Sequence, residues 1–549
     1  MSEADPEARS AHSRAFRALA GSGIAILVAG GVAAAVLAFG FIRGTADSIV
    51  TLAPSDAVVY ANLNLEPSGG QQLALNSILG KFPGLSGTSR DASINHWLDT
   101  GLQSAGLSHA DVRSWLGSQL SLIVLKSSDG TTPAEIALLA SKNDAAAESM
   151  FAKYETGPLG RMARWTVATY DSVTVNVGDD SSGSTEVWAV TAHTVIAGTS
   201  ESAVDEVIDT SQGKHASLTS QTDYTAVQAQ LPSDRVAFVY VDAPRLGALI
   251  PSAAAAGAAS ALRGYEGIGE AMVASSSGIT VTGTVDFDAA KLSAAARAAL
   301  RGTAHTNGAL SYVPENALGF VTLSGLPQML KSLVTLAGPN LGASGSQALA
   351  QLGITGSSGV ISHLTGDAGV EVEMVPGAQV PSGALLIATD SSGAVSSFLD
   401  QLAHTICSGS TACSSATQQA YEGVSISTIN VSGADSSELS PSWAVDNGWA
   451  IIASTPAEVR AVIDARRGTN ITSSQQYQAV AGQLGTSNTG MFYLNVRALV
   501  SAVRAVLPAA SRATFDQQVA QYLSPVQAIG VSSHASSDHI TTSEFILIG

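Results

Sequence analysis

The sequence repeats itself, and the repeat limits what the chain can fold into. Ala53-Pro54-Ser55-Asp56-Ala57-Val58-Val59-Tyr60-Ala61 returns as Val313-Pro314-Glu315-Asn316-Ala317-Leu318-Gly319-Phe320-Val321. The echo continues in order: residues 137–140 answer to 385–388, 170–175 to 421–426, and Trp188 to Trp443. Val204, Val207, Ile208 and Asp209 answer to Val459, Val462, Ile463 and Asp464, and 239–241 to 492–494. One such match means little, but an ordered series is the signature of an internal duplication. The reading is a first repeat over 53–287, a linker over 288–307 and a second repeat over 308–549.

Each repeat mixes two periodicities. Ile94, Trp97, Leu98, Gly101 and Leu102 fall on one side of a helix. Residues 144–154 and 201–210 predict further helices, the latter with Ser200 as N-cap and Gly213 as stop. Short β-branched runs at 57–65, 173–177, 187–190 and 194–197 predict strands. The last three follow one another too closely for helical crossovers and should be antiparallel neighbours. Residues 278–287 and 541–548 predict closing strands, and 291–300 in the linker predicts a helix. The fold class is therefore α+β: two duplicated modules of largely antiparallel sheet with helices, preceded by one transmembrane helix.

The transmembrane expectation rests on the N-terminus. No charged residue lies between Ala18 and Ile42, which is long enough to cross a bilayer. Arg9, Arg14 and Arg17 precede it and only Arg43 closely follows, which places 1–17 in the cytoplasm and the bulk outside the cell membrane. A cleaved signal peptide is the rival reading. The apolar run exceeds the usual h-region of about 7–15 residues, which favours a signal anchor. Residues 43–52 then read as a tether. A net charge of −18 disfavours nucleic-acid partners, because phosphate binding needs a basic surface.

Chemistry-bearing motifs are sparse. The phosphate loop, the serine elbow and the zinc-protease helix signature are missing. Ser211-Gln212-Gly213-Lys214 matches a serine–lysine spacing but sits at a helix end. Asp179–Glu186 and its counterpart at 433–438 offer oxygen ligands without the alternating spacing of a calcium loop. His534, Asp538 and His539 read as a hairpin tip before they read as a zinc site. No catalytic residue, metal ligand or cofactor is assigned. Trp188 and Trp443, on matching strands, read as core. Cys407 and Cys413 are the two cysteines, and an extracytoplasmic address would allow them a disulfide closing a short loop. The segment Pro67, Ser68, Gly69, Gly70 and Gln71 is the candidate ligand-binding turn. Backbone donors where a strand leads into a helix can hold an anion, although a plain helix-start turn uses the same residues.

The opening 52–57, then Asn62-Leu63-Asn64-Leu65-Glu66-Pro67-Ser68-Gly69-Gly70-Gln71 and Phe82-Pro83-Gly84, resembles the bacterial proteins grouped as domain of unknown function 3352. The resemblance covers residues 50–549. It implies one N-terminal anchoring helix and a long extracytoplasmic region, and it brings no activity with it. The functional expectation is a single-pass envelope protein, more a binding or interaction module than an enzyme, whose partner is an envelope protein, a lipid or a cell-wall component. A lipid carrier and an envelope hydrolase with an unfamiliar site are the alternatives.

Overall fold

A computed structural model describes residues 47–549 apart from 86–88, 127–132, 250–261, 294–295, 298–299, 301–302, 332–333, 335–346, 348, 352, 357–358, 375–379, 409–412, 414–415 and 432–438. The expected anchor over 18–42, the loop at 433–438 and part of the expected 291–300 helix lie outside the described residues. Among the described residues no helix is long and apolar enough to cross a membrane. The chain divides into two compact units, with the boundary between Asp288 and Ala289; residues 278–280 group with the second unit.

The first unit contains β1 (Val59–Asn64), β2 (Leu116–Leu125), β3 (Ala134–Ser141), β4 (Ala163–Tyr170), β5 (Val173–Asp180), β6 (Thr185–Thr191), β7 (Thr194–Gly198), β8 (Ala237–Asp242), β9 (Tyr265–Ser275) and β10 (Gly278–Phe287). Their order in the sheet is β4-β5-β6-β7-β3-β2-β1-β8-β9, with β10 beside β9. The pairings from β4 through β9 are antiparallel, including the β5-β6-β7 run anticipated from its short turns. Two of those turns need a left-handed backbone: Asp171 and Ser172 between β4 and β5, and Ala192 and His193 between β6 and β7. Two-residue hairpin loops of this hand match the twist of their strands.

Alternate side chains of these strands point to one core. Tyr60, Ile123, Ile136, Leu138, Val187 and Ile196 are buried there beneath the helices Glu201–Ser211 and Thr222–Gln230. Val204, Val207 and Ile208 recur at helical spacing and are fully buried. Gly213, at φ +75°, ends that stretch, a conformation that glycine adopts without a Cβ clash.

The second unit contains β11 (Gly319–Leu323), β12 (Leu364–Glu373), β13 (Ser382–Thr389), β14 (Thr417–Tyr421), β15 (Val424–Thr428), β16 (Ser442–Asp446), β17 (Trp449–Ala453), β18 (Gly490–Leu494), β19 (Val526–Ala535) and β20 (His539–Ile548). The order is β14-β15-β16-β17-β13-β12-β11-β18-β19-β20, antiparallel throughout. Helices Pro456–Arg467 and Gln475–Leu484 cover its core, with Val459, Val462, Ile463, Tyr477 and Val480 buried. The fold is thus mixed helix and strand built on antiparallel sheet.

Two boundaries differ from the sequence reading. The first unit begins before residue 53: Ile49, Val50 and Leu52 of the 43–52 tether are buried in its core, because a short 3-10 turn folds them against the sheet. The linker over 288–307 also ends inside a unit. Asn307 is buried, and His305 forms a bridge with Asn488.

Candidate functional site

The anticipated turn caps a helix. Ser68 is the N-cap of Gly69–Leu79, and its Oγ accepts from the Gln71 amide at 3.3 Å while donating to Asp234 Oδ2 at 2.9 Å. Pro67 and Gln71 are buried, and the Gln71 side-chain oxygen accepts from the Ala274 amide at 2.7 Å. Gly69 and Gly70 are exposed. The sequence reading expected a helix from Gln71; it begins two residues earlier, at Gly69, and the carboxylate of Asp234 faces its capping serine.

A cavity of about 540 Å³ lies elsewhere in the first unit, lined by Asp47, Asn62, Gln119, Tyr224, Gln228 and Arg235 among others. That size suits a small-molecule ligand. The β1–β2 and β1–β8 registers bring its parts together. Asn62 of β1 faces Ser121 on one side and Phe238 on the other. Asn62 Nδ2 donates to Ser121 Oγ at 2.9 Å and to Asp47 Oδ1 at 3.3 Å. The Tyr60 hydroxyl reaches both Asp47 oxygens, at 2.9 and 2.8 Å, and the Val50 amide donates to Asp47 Oδ1 at 3.2 Å. Arg235, also in the lining, donates to Gln228 Oε1 at 2.7 Å, with its Cζ 4.0 Å from the centre of the Phe238 ring.

The electrostatics follow from burial. Desolvation raises the Asp47 carboxyl above the usual range, opposed by the Tyr60 hydrogen bond and by the charge of Arg235. Desolvation lowers Arg235, opposed by the charges around it. Burial also pushes the Tyr60 and Tyr224 hydroxyls well up, so both stay protonated donors. The cavity therefore offers an anion, a cation, amides and hydroxyls beside an aromatic ring.

The topologically equivalent positions of the second unit carry other residues. Counting back from Pro54 and Pro314, Asp47 is matched by Asn307. Through the strand registers, Tyr60 is matched by Phe320, Asn62 by Thr322, Ser121 by Gly369 and Arg235 by Asn488. The reverse holds at a second place. Glu371 and Glu373 of β12 and Glu458 of the Pro456–Arg467 helix are 0%, 3% and 0% exposed. Their counterparts in the first unit are Ile123, Leu125 and Ala203. Glu458 interacts with both Glu371 and Glu373, and burial raises all three carboxyls, Glu373 to about 7. Glu373 also lines a wider cavity of about 960 Å³ with Glu315, Asp464 and Asn495.

The remaining sequence motifs are absorbed by the scaffold. Ser211 Oγ donates to the Ile208 carbonyl at 2.7 Å, while Lys214 pairs with Asp171 and, at 3.5 Å, with Asp209. That serine and lysine have separate partners. Asp180 accepts from the Ser182 and Ser184 amides at 2.7 and 2.9 Å, as a hairpin turn does. His539 pairs with Asp538 at 2.8 Å at the β19–β20 tip. Among the described residues no group of three or more His, Cys, Asp or Glu is arranged to hold a metal. Trp188 and Trp443 are buried and donate to Glu155 and Asp400 at 3.0 and 3.1 Å. Cys407 and Cys413 form a disulfide. Sequence reasoning missed Asp47 and Arg235, since only the folded strands bring them to one cavity.

The fold is mixed helix and strand on antiparallel sheet, with a cavity lined by Asp47 and Arg235 in its first unit. The chain belongs to the family described as protein of unknown function (DUF3352), whose model matches residues 19–548. No curated protein matches the sequence. Among solved structures, crystal form III of TP0453 is similar at 10% identity over 47% of this chain and 89% of that one, with a TM-score of 0.25. Crystal form I is similar at 8% identity over 49% and 90%, with a TM-score of 0.24.

Proposed function

We propose that this protein is a non-enzymatic binding module of the bacterial cell envelope, anchored by residues 18–42. In this reading it holds a small polar ligand in the Asp47–Arg235 cavity, and its two units are copies of one module that have diverged. The copy reading is supported by the common strand order and by shared ring pairs. Tyr224 meets Tyr240 edge-on at 5.2 Å, and Tyr477 meets Tyr493 edge-on at 5.6 Å. The observation that carries the ligand reading is the asymmetry: Asp47, Arg235 and the Tyr60 hydroxyl are replaced by Asn307, Asn488 and Phe320 at the equivalent positions of the second unit. A packing role would not need a carboxylate and a guanidinium in one lining, since Asn307, Phe320 and Asn488 serve at those positions in the other.

The lining indicates the ligand class. Amide and hydroxyl groups suit a polyhydroxylated, N-acylated sugar, and Arg235 suits an acidic substituent on it. Cell-wall glycan has this chemistry. The test places a photoreactive residue at Ala229, exposed at the cavity wall, and at its second-unit counterpart Gly482, in native envelopes. Glycan adducts at position 229 and not at 482 are expected. Equal labelling at both, or none at either, would reject the reading.

A further inference from the structure

The second unit carries a helical arm that the cavity does not use. Asn495 caps the helix Val496–Val506, accepting from the Ala498 amide at 2.9 Å. Pro508 breaks the chain direction, and helix returns over Ala509–Phe515, a wider turn over Asp516–Ala520, and Gln521–Leu523. Arg504 clamps the two limbs through a bidentate pair with Asp516, Nε to Oδ1 at 2.8 Å and Nη2 to Oδ2 at 3.0 Å. Arg512 donates to the Leu507 and Ala505 carbonyls at 3.0 and 3.1 Å, satisfying the first limb's open end. The arm is thus a built hairpin. Even so, none of residues 497–524 is buried.

Its composition departs from the rest of the protein. Val496, Leu499, Val500, Val503 and Leu507 form one stripe at helical spacing, with Arg497 and Arg504 together on its flank. Val503, Val506, Val519, Tyr522 and Leu523 are 37%, 48%, 40%, 51% and 38% exposed. Over 496–524 there are three arginines against one aspartate, in a chain of net charge −18. Exposed apolar side chains, an aromatic and flanking arginines on short helices match an anionic lipid interface. There the apolar groups enter the acyl boundary and the guanidinium groups meet phosphates.

We infer that the arm formed by residues 496–524 docks on an anionic bilayer surface. The docking is separate from the N-terminal anchor and from the glycan cavity. The basic charge supplies the complementarity, and an acidic protein body opposes approach by any other route.

The full chain, with its disulfide intact, is labelled with an environment-sensitive fluorophore at Val506→Cys or Tyr522→Cys. It is then mixed with vesicles of phosphatidylcholine alone or containing phosphatidylglycerol. A blue shift at both positions with phosphatidylglycerol is expected. The shift should be lost with phosphatidylcholine alone, and lost when Arg497 and Arg512 are changed to Gln. Vesicle attachment by the N-terminal segment leaves this local signal unchanged, so the two membrane contacts are read separately. No shift, an equal shift in both vesicles, or a shift without vesicles that grows with protein concentration would overturn the inference. The last of these would identify a second copy as the occupant.

Discussion

Tyr60 donates its hydroxyl to both carboxylate oxygens of Asp47, at 2.9 and 2.8 Å, from a side chain that is itself fully buried. This contact ties residue 47 to the first strand, β1. It fixes the acidic wall of the cavity. Phe320 at the matching position shows that the ring alone suffices for packing.

Tyr60→Phe should therefore keep the fold and loosen Asp47. Hydrogen bonds to charged groups contribute about 1.5–3 kcal/mol, and a loss near the lower end is expected because Asn62 and the Val50 amide remain. Denaturant unfolding of the full chain measures it. A variant as stable as the parent would show that the hydroxyl carries no stabilising contact.

The Glu371, Glu373 and Glu458 cluster predicts an inverse pH dependence for the second unit. Burial raises each carboxyl above the ordinary value of 4.5, so the folded state binds protons more tightly than the unfolded chain. Stability from these groups is complete below 4.5 and is lost as pH rises through the folded value, about 7 for Glu373. The loss from Glu373 alone is on the order of 3 kcal/mol. Replacing the three by their first-unit counterparts, E371I, E373L and E458A, should flatten the slope and stabilise the unit at pH 8. Thermal unfolding at several pH values reads this, and an unchanged slope would contradict it.

Ser68→Ala should cost about 1 kcal/mol, the usual value of a lost N-cap. Gly69→Ala should be tolerated, since a Cβ there meets nothing within 4 Å. If the turn held an obligatory ligand, both changes would abolish binding. If it is a cap, ligand binding survives in each. Thermal shifts with and without ligand separate the two outcomes.

Reduction of Cys407–Cys413 should act locally. The bond closes a loop with a sequence separation of 6, for which the chain-entropy relation gives at most about 2 kcal/mol. Melting under reductant should lower the second unit's transition and leave the first unit's in place.

Much of the scaffold was legible. The strands at 173–177, 187–190 and 194–197 could be placed because short polar turns leave only antiparallel pairing. The helix after Ser200 could be placed because Val204, Val207 and Ile208 share one face. The β12 glutamates were hidden by the same reasoning. Val370-Glu371-Val372-Glu373 alternates as a strand with valines inward would, yet Val370 and Val372 are 48% and 38% exposed while the glutamates are buried. Alternation says that two faces differ and leaves open which one the helices cover. The cavity was hidden for another reason. Asp47 lay in the expected tether and Arg235 in no expected element, and their shared site depends on β1, β2 and β8 lying side by side.

The central claim is that the Asp47–Arg235 cavity holds an acidic, N-acylated sugar. Its most direct test is calorimetric titration of the full chain with the disaccharide of N-acetylglucosamine and N-acetylmuramic acid. The account predicts saturable binding that weakens at least tenfold in both Arg235→Asn and Asp47→Asn, the residues found at those positions in the second unit. No binding by the parent chain, or binding undiminished in both variants, would contradict it.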